Sequence, residues 1–492
     1  MVGVFKKSKK GITLADVTAG TGLPLEQVRT LVTIAADEYS ARLEVTESSE
    51  ILYSFPSGFT SRYRGPGPVL KKFFTSFGRV SAAALKLLFK AWILLMLVGY
   101  FLLFMVIALA SVFISFSASS NSRNRRGGWN ISFGLFDLII RLWFYSELFG
   151  GGRRRSIGSA FHAGKLRQSG GGRPLHRAVF SFVFGEDDPN RDWELREKKA
   201  FVSHLRKQRG VVSLPELMVL SGQPPQKAED LIMNMCAEFG GSPEVTEEGT
   251  VVYRFDEILL SAEKNNTKDP AQNYVSSSAP DLPAPLYKRL KVFSSNPRKM
   301  NFWFGIINGV NLLFGSYFFY NSVSIGKITN EAVFRTSGLY GTIYYFLGRM
   351  GADPHFILQT ALGLVPLLFS VLFWLIPVIR SVLLKKGNES IRLDNYRSLG
   401  FGRIWSSPLF FVPRELTPAD DACRPACLEA AQLRLVKEMG AYSAPEISIG
   451  DDQSEVYTFP EINREKEALA QYRLSIDPGR SETGKTIFDS GS

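Results

Sequence analysis

Residues 91–116, AWILLMLVGYFLLFMVIALASVFISF, carry no charged side chain over 26 positions. A bilayer core needs about 20 apolar residues in a helix. A helix buried in a water-exposed domain keeps one polar face, and this run has none. It also starts too far from Met1, and is too long, for a signal peptide. The run predicts a transmembrane helix over 91–116 and a chain that folds partly in lipid.

Two later stretches, 300–326 and 356–379, read the same way. The first holds Asn301, Asn308, Asn311 and Asn321. Asn308 and Asn311 share a helical face, where carboxamides bond to a neighbouring helix. Packing is their expected role, with a polar substrate site the alternative. The second stretch contains Pro366 and Pro377, tolerated where neighbours satisfy the freed carbonyls. Residues 129–149 are aromatic and apolar but include Asp137, Arg141 and Glu147. They read as an interfacial helix, with Trp129, Trp143 and Tyr145 at headgroup level.

The net charge of +12 is unevenly spread. Residues 117–178 form a Gly/Arg-rich segment with 11 basic residues against Asp137 and Glu147, and 61–90 hold seven basic residues and no acidic one. Beside membrane helices such cations bind anionic lipid headgroups, at about 1 kcal/mol each. Lys288, Arg289, Lys291, Arg298 and Lys299 precede the second span, and Arg380, Lys385, Lys386, Arg392, Arg397 and Arg403 follow the third. The positive-inside rule therefore places both flanks in the cytoplasm. The side of the N-terminus depends on whether 129–149 crosses.

A repeat organises the remainder. Residues 11–56 and 210–256 align without gaps at an offset of 200. Leu14 meets Leu214, Gly22 meets Gly222, Pro24 meets Pro224, and Glu44-Val45-Thr46-Glu47 meets Glu244-Val245-Thr246-Glu247. Each copy predicts a short strand, a helix, a glycine turn, a second helix opened by proline and a two-stranded hairpin. That order is a winged helix, expected over 10–58 and, behind a leading helix opened by Asp188-Pro189-Asn190, over 179–260. A degenerate third copy is read over 410–462. Residues 261–285 form a linker, and 475–492 a disordered tail.

A winged helix invites a DNA-binding reading, and charge opposes it. Residues 11–56 have net charge −5, residues 210–256 have −6, and residues 415–460 have −6. Binding to a duplex rests on neutralising phosphates. The acidic surfaces suit protein partners instead.

Catalytic chemistry finds no foothold. Cys423 and Cys427 are four apart with no second pair to complete a metal site, and Cys236 stands alone. The glycine runs 150–152 and 170–172 lack the lysine of a phosphate loop. The four histidines suggest no triad. No catalytic, cofactor-binding or metal residue is assigned, and no cofactor or enzyme activity is expected.

The sequence Val179-Phe180-Ser181-Phe182-Val183-Phe184-Gly185-Glu186-Asp187-Asp188-Pro189-Asn190, with the second repeat behind it, resembles an uncharacterised family of multi-pass membrane proteins of cyanobacteria, chloroplasts and other bacteria. The resemblance covers roughly residues 10–410. It implies a span after the first winged helix, a basic loop, the second winged helix and a late helix pair. It implies no activity. An iron–sulfur assembly label attached to plant members finds no chemical support in three cysteines. This chain places Glu186-Asp187 where the family pattern has Gly-Asp, and no transit peptide is read ahead of the first winged helix.

The expectation is an α+β membrane protein of repeated winged-helix domains joined by transmembrane helices. It is a multi-pass scaffold or assembly factor that meets protein partners and anionic lipid, with homo-oligomerisation open. In a bacterium it sits in the cytoplasmic (inner) membrane, with winged helices 2 and 3 on the cytoplasmic side. The rivals are a membrane-tethered DNA-binding regulator and a small transporter or channel subunit.

Overall fold

The computed structural model describes residues 2–5, 11–56, 87–118, 174–259, 285–325, 338–450, 453–476 and 486–490. The expected interfacial helix 129–149, nearly all of the linker 261–285 and most of the basic segments lie outside the described residues. The chain divides into two compact units. One comprises Met1–Ser76, Asp187–Lys291 and Leu383–Ser492, and the other Phe77–Glu186 and Val292–Val382.

In the first unit the same element order occurs twice. Helices Leu14–Thr21 and Leu25–Glu38 lead to the hairpin Arg42–Thr46 and Ile51–Ser54, and Ile12 bridges back to Tyr53. Helices Leu214–Ser221 and Pro225–Phe239 lead to Ser242–Val245 and Val251–Arg254, with Val211–Val212 completing a three-stranded sheet. Local chemistry explains the order. Thr13 Oγ1 accepts from the Asp16 N–H at 3.1 Å, and the Ser213 N–H donates to Glu216 at 3.2 Å, so a capping residue opens each first helix. Gly22 and Gly222 then take the left-handed conformation that glycine adopts without strain (φ +73° and +66°). A Cβ on Gly222 would lie 2.3 Å from the Asp394 carbonyl oxygen, so a larger residue there must displace the helix carrying Asp394.

A third segment keeps the hairpin but not the helix pair. A single turn, Asp421–Cys423, stands before helix Leu428–Gly440, followed by Glu446–Ile449 and Glu455–Thr458, and Phe411 bridges to Tyr457. Helix Pro460–Ser475 follows and runs past the expected boundary at 462. Phe201, Phe239 and Phe255 share one core with Tyr396, Trp405, Leu435 and Phe459. The tail expected to be disordered contributes a strand, Thr486–Asp489, antiparallel to Arg42–Thr46. Its Asp489 carboxylate receives the Arg42 guanidinium, Nε to Oδ1 at 2.6 Å.

Three helices are long and apolar enough to cross a membrane: Leu87–Ala110 and Arg298–Ile325 in the second unit, and Pro354–Ser406, of which 354–382 belong to the second unit and 383–406 to the first. The third was expected to end at 379. It continues to Ser406, and its charged extension is enclosed on most sides: Ile391, Tyr396, Phe401, Ile404 and Trp405 are all buried.

Residues 357–364 are wound as a π-helix, and the Val365 N–H bonds to Thr360 O. The next residue in that pattern, Pro366, has no N–H to offer Ala361 O. Tyr100 Oη donates to that oxygen instead, at 2.9 Å. Asn308 Nδ2 donates to Ser370 O at 3.0 Å and Asn311 Nδ2 to Leu97 O at 2.8 Å, joining the second helix to the third and to the first. This is the packing role expected of them.

The Val179–Phe184 stretch, whose phenylalanines alternate, is not a strand. It is the end of a helix, Leu175–Phe184, whose Ala178, Val179, Phe182 and Val183 are buried in a cluster with Ile93, Leu97, Phe304 and Phe373 of the apolar helices. The side chains at 178, 179, 182 and 183 fall on one helical face, which explains the winding. Helix Gly338–Arg349, not anticipated, buries Tyr340 and Tyr344 beside Phe104 and Phe318.

Candidate functional site: a basic strap held by three asparagines

Asp188-Pro189-Asn190 does not cap the helix that follows. That helix runs from Trp193 to Lys207, and Asp192 precedes it without a side-chain cap bond. Asp188 Oδ1 instead closes a turn by accepting from the Asn190 N–H at 2.9 Å. The turn aims both side chains at residues about 100 positions later in the chain.

Residues 285–291 run without regular secondary structure. Three carboxamides grip their backbone, each at both ends. Asn190 accepts from the Arg289 N–H at 2.9 Å and donates to Arg289 O at 2.7 Å. Asn388 accepts from the Lys291 N–H at 2.9 Å and donates to Lys291 O at 2.8 Å. Asn395 does the same at Lys288, at 2.8 and 2.9 Å, and its amide also donates to Ala422 O.

Charge completes the clasp. Lys288 Nζ lies 2.7 Å from Asp394 Oδ2 and 5.1 Å from the centre of the Trp193 ring. Lys291 Nζ lies 2.6 Å from Asp188 Oδ2, and that ammonium holds the Asp188 carboxyl below the usual carboxylate range. Nearby Glu197 is pushed up to about 6 by burial, which the Lys288 charge only partly offsets. Asp394 is itself steadied by Arg397, which pairs with Glu438 at 2.6 Å. The strap lysines, read from sequence as orientation signals, are thus engaged in ion pairs.

Two further clusters belong to the same unit. Glu216, fully buried, takes Arg473 Nη1 and Nη2 on its two oxygens at 3.0 and 2.6 Å, and Arg473 also donates to Val211 O. Burial alone would raise the Glu216 pKa. The Arg473 charge and His204 outweigh it and hold the carboxyl near 2. A cavity of about 360 Å³ is lined by Glu229, Glu461 and Glu465 with Thr250, Tyr253 and Tyr442. Burial pushes Glu465 up to about 7, although Tyr442 Oη donates to it at 2.8 Å.

In the other unit Arg380 donates to Phe182 O and Phe293 O, both at 2.7 Å. Gly185 passes directly over this guanidinium at φ +88°, where a Cβ would come 2.2 Å from Nη1. The motif glycine is therefore fixed by close approach as well as by its backbone angle. Glu186 accepts from Ser181 Oγ at 2.6 Å.

Cys236 and Cys423 are buried and Cys427 is exposed, and all three are free thiols. Among the described residues no three His, Cys, Asp or Glu side chains are grouped to hold a metal ion. The three-asparagine clasp escaped sequence reading because its halves are far apart in the chain. The spacing of Asn388 and Asn395, seven residues on one helix face, was the available signal.

The chain is similar to an uncharacterised protein of Arabidopsis thaliana described as chloroplastic. The two are 25% identical over 438 residues, covering 83% of this chain and 73% of that protein. No family model matches, and no solved structure matches.

Proposed function

We propose that the chain is a multi-pass membrane scaffold or assembly factor whose acidic winged-helix domains bind protein partners. The observation that carries this reading is the pairing, in one chain, of three bilayer-length apolar helices with helix–helix–hairpin segments of net charge −5 to −6. The return bridges to Tyr53, Tyr253 and Tyr457 support a common winged-helix plan for the three segments. Basic flanks suit anionic headgroups, and the orientation proposed from charge puts the second and third domains on the cytoplasmic side. Acidic recognition helices oppose the DNA-binding alternative.

A cytoplasm-active reporter fused at Gly338 should be silent, and one fused at Ser407 should be active. Equal signals would remove the crossing hairpin. Crosslinking in membranes should then place partner contacts on 11–56, 210–256 or 415–460, and Glu47→Lys with Glu50→Lys should reduce those at the first. Contacts confined to the apolar helices would defeat the scaffold reading.

A further inference from the structure

Residues 288–291 are held as a receptor holds a ligand. None of residues 285–291 is buried, and none belongs to the hydrophobic core. What fixes them is three carboxamides on the backbone, two carboxylates on Lys288 and Lys291, and the Trp193 ring. Carboxamides that grip N–H and C=O together are indifferent to side chains and demand only an extended backbone. The carboxylates and the ring add a demand for cations at the first and fourth positions.

The spacing is a matched ruler. Seven residues of helix rise about 10.5 Å, and three residues of extended chain span about 10 Å. Asn388 and Asn395 therefore meet Lys291 and Lys288 in register, with the two chains running antiparallel. Any extended segment with lysines three apart can adopt the same register.

We propose that the groove formed by Asp188, Asn190, Trp193, Asn388, Asp394 and Asn395 is a recognition site for extended Lys-x-x-Lys segments of a partner protein, occupied in the resting chain by its own residues 288–291. This goes beyond the membrane reading and stands whichever way the apolar helices are disposed, so the reporter fusions and the experiment below can fail independently.

The test uses the full chain in detergent micelles and a labelled peptide of residues 287–292. Cis occupancy competes at a millimolar effective concentration, so emptying the groove with Lys288→Glu and Lys291→Glu should tighten peptide binding on the order of tenfold or more. Adding Asn388→Leu and Asn395→Leu should abolish it, as should replacing both peptide lysines by glutamate. A folded, emptied variant that does not bind the peptide overturns the proposal. The unaltered chain provides a second measurement that needs no variant to fold. Excess peptide should accelerate hydrogen exchange at the Lys288, Arg289 and Lys291 amides several-fold. If those amides exchange only with unfolding of the whole unit, with or without peptide, the strap is permanent and the groove is not a recognition site.

Discussion

Asn388 and Asn395 use both ends of the carboxamide on one backbone segment, whereas Asn308 and Asn311 use only the amide end. The amides of the latter pair reach Ser370 O and Leu97 O, and their Oδ1 atoms are buried without a hydrogen-bond partner among the described residues. Burial does not separate the pairs, since Asn395 is only 1% exposed; what does is that both ends of its carboxamide are paired and leave no desolvated group behind. Among apolar helices an amide on a neighbouring carbonyl already joins two helices, yet the leftover acceptor carries a desolvation cost. Such contacts average only about 0.6 kcal/mol. The two sets look alike in composition but should differ in energetic weight.

The most severe way to break the comparison is at a fully buried carboxylate that accepts from both Nη groups of Arg473. Glu216→Ala leaves Arg473 buried without its anion and should cost about 3–5 kcal/mol. A large drop in the urea midpoint of the first unit, with the apolar helices retained, is the expected readout. The wild-type carboxyl is held near 2, so its contribution is present above the unfolded pKa of about 4 and is lost as pH falls toward 2. That acid-range loss should vanish in Glu216→Ala.

Glu465 sharpens the comparison with the opposite sign. Its folded pKa is raised to about 7, so the native state keeps a proton that the unfolded chain has released. Stability should fall as pH rises from about 4.5 to about 7. Urea titrations at pH 5 and pH 8 should show this slope flattened in Glu465→Gln, and an unchanged slope would assign it to other groups, Glu197 first among them.

The smallest effects concern the asparagines themselves. Asn395→Leu removes both bonds at Lys288 and should cost about 1–3 kcal/mol, with faster hydrogen exchange at that amide. Asn308→Leu should cost about 0.6 kcal/mol or less, because it also removes an orphaned acceptor. Equal costs at the two sites would end the distinction.

The apolar helices were legible because 26 uncharged residues admit few other folds, and the helix–helix–hairpin order of 14–54 and 214–254 because glycine turns, helix-opening prolines and strand aromatics punctuate both segments. Asn308 and Asn311 were legible as packing groups. The helix Leu175–Phe184 was not, because Phe180, Phe182 and Phe184 imitate the alternation of a strand while the buried face lies at 178, 179, 182 and 183. Asp188-Pro189-Asn190 suggested a cap because caps are local and its true partners, Arg289 and Lys291, lie about 100 residues away. The strand Thr486–Asp489 was hidden for the same reason, since its partner strand lies near the other end of the chain.

The strap also sets what may vary in it. Leu290, between the gripped positions, meets no carboxamide, and Arg289 is held only through its backbone. Their side chains can drift while the segment still seats. A single inserted or deleted residue between Lys288 and Lys291 cannot be absorbed, because the helix beneath offers its asparagines at one separation only. This stretch is therefore fixed in length and at its two lysines and free in the letters between them, and related chains should betray it by an unbroken count between two cations.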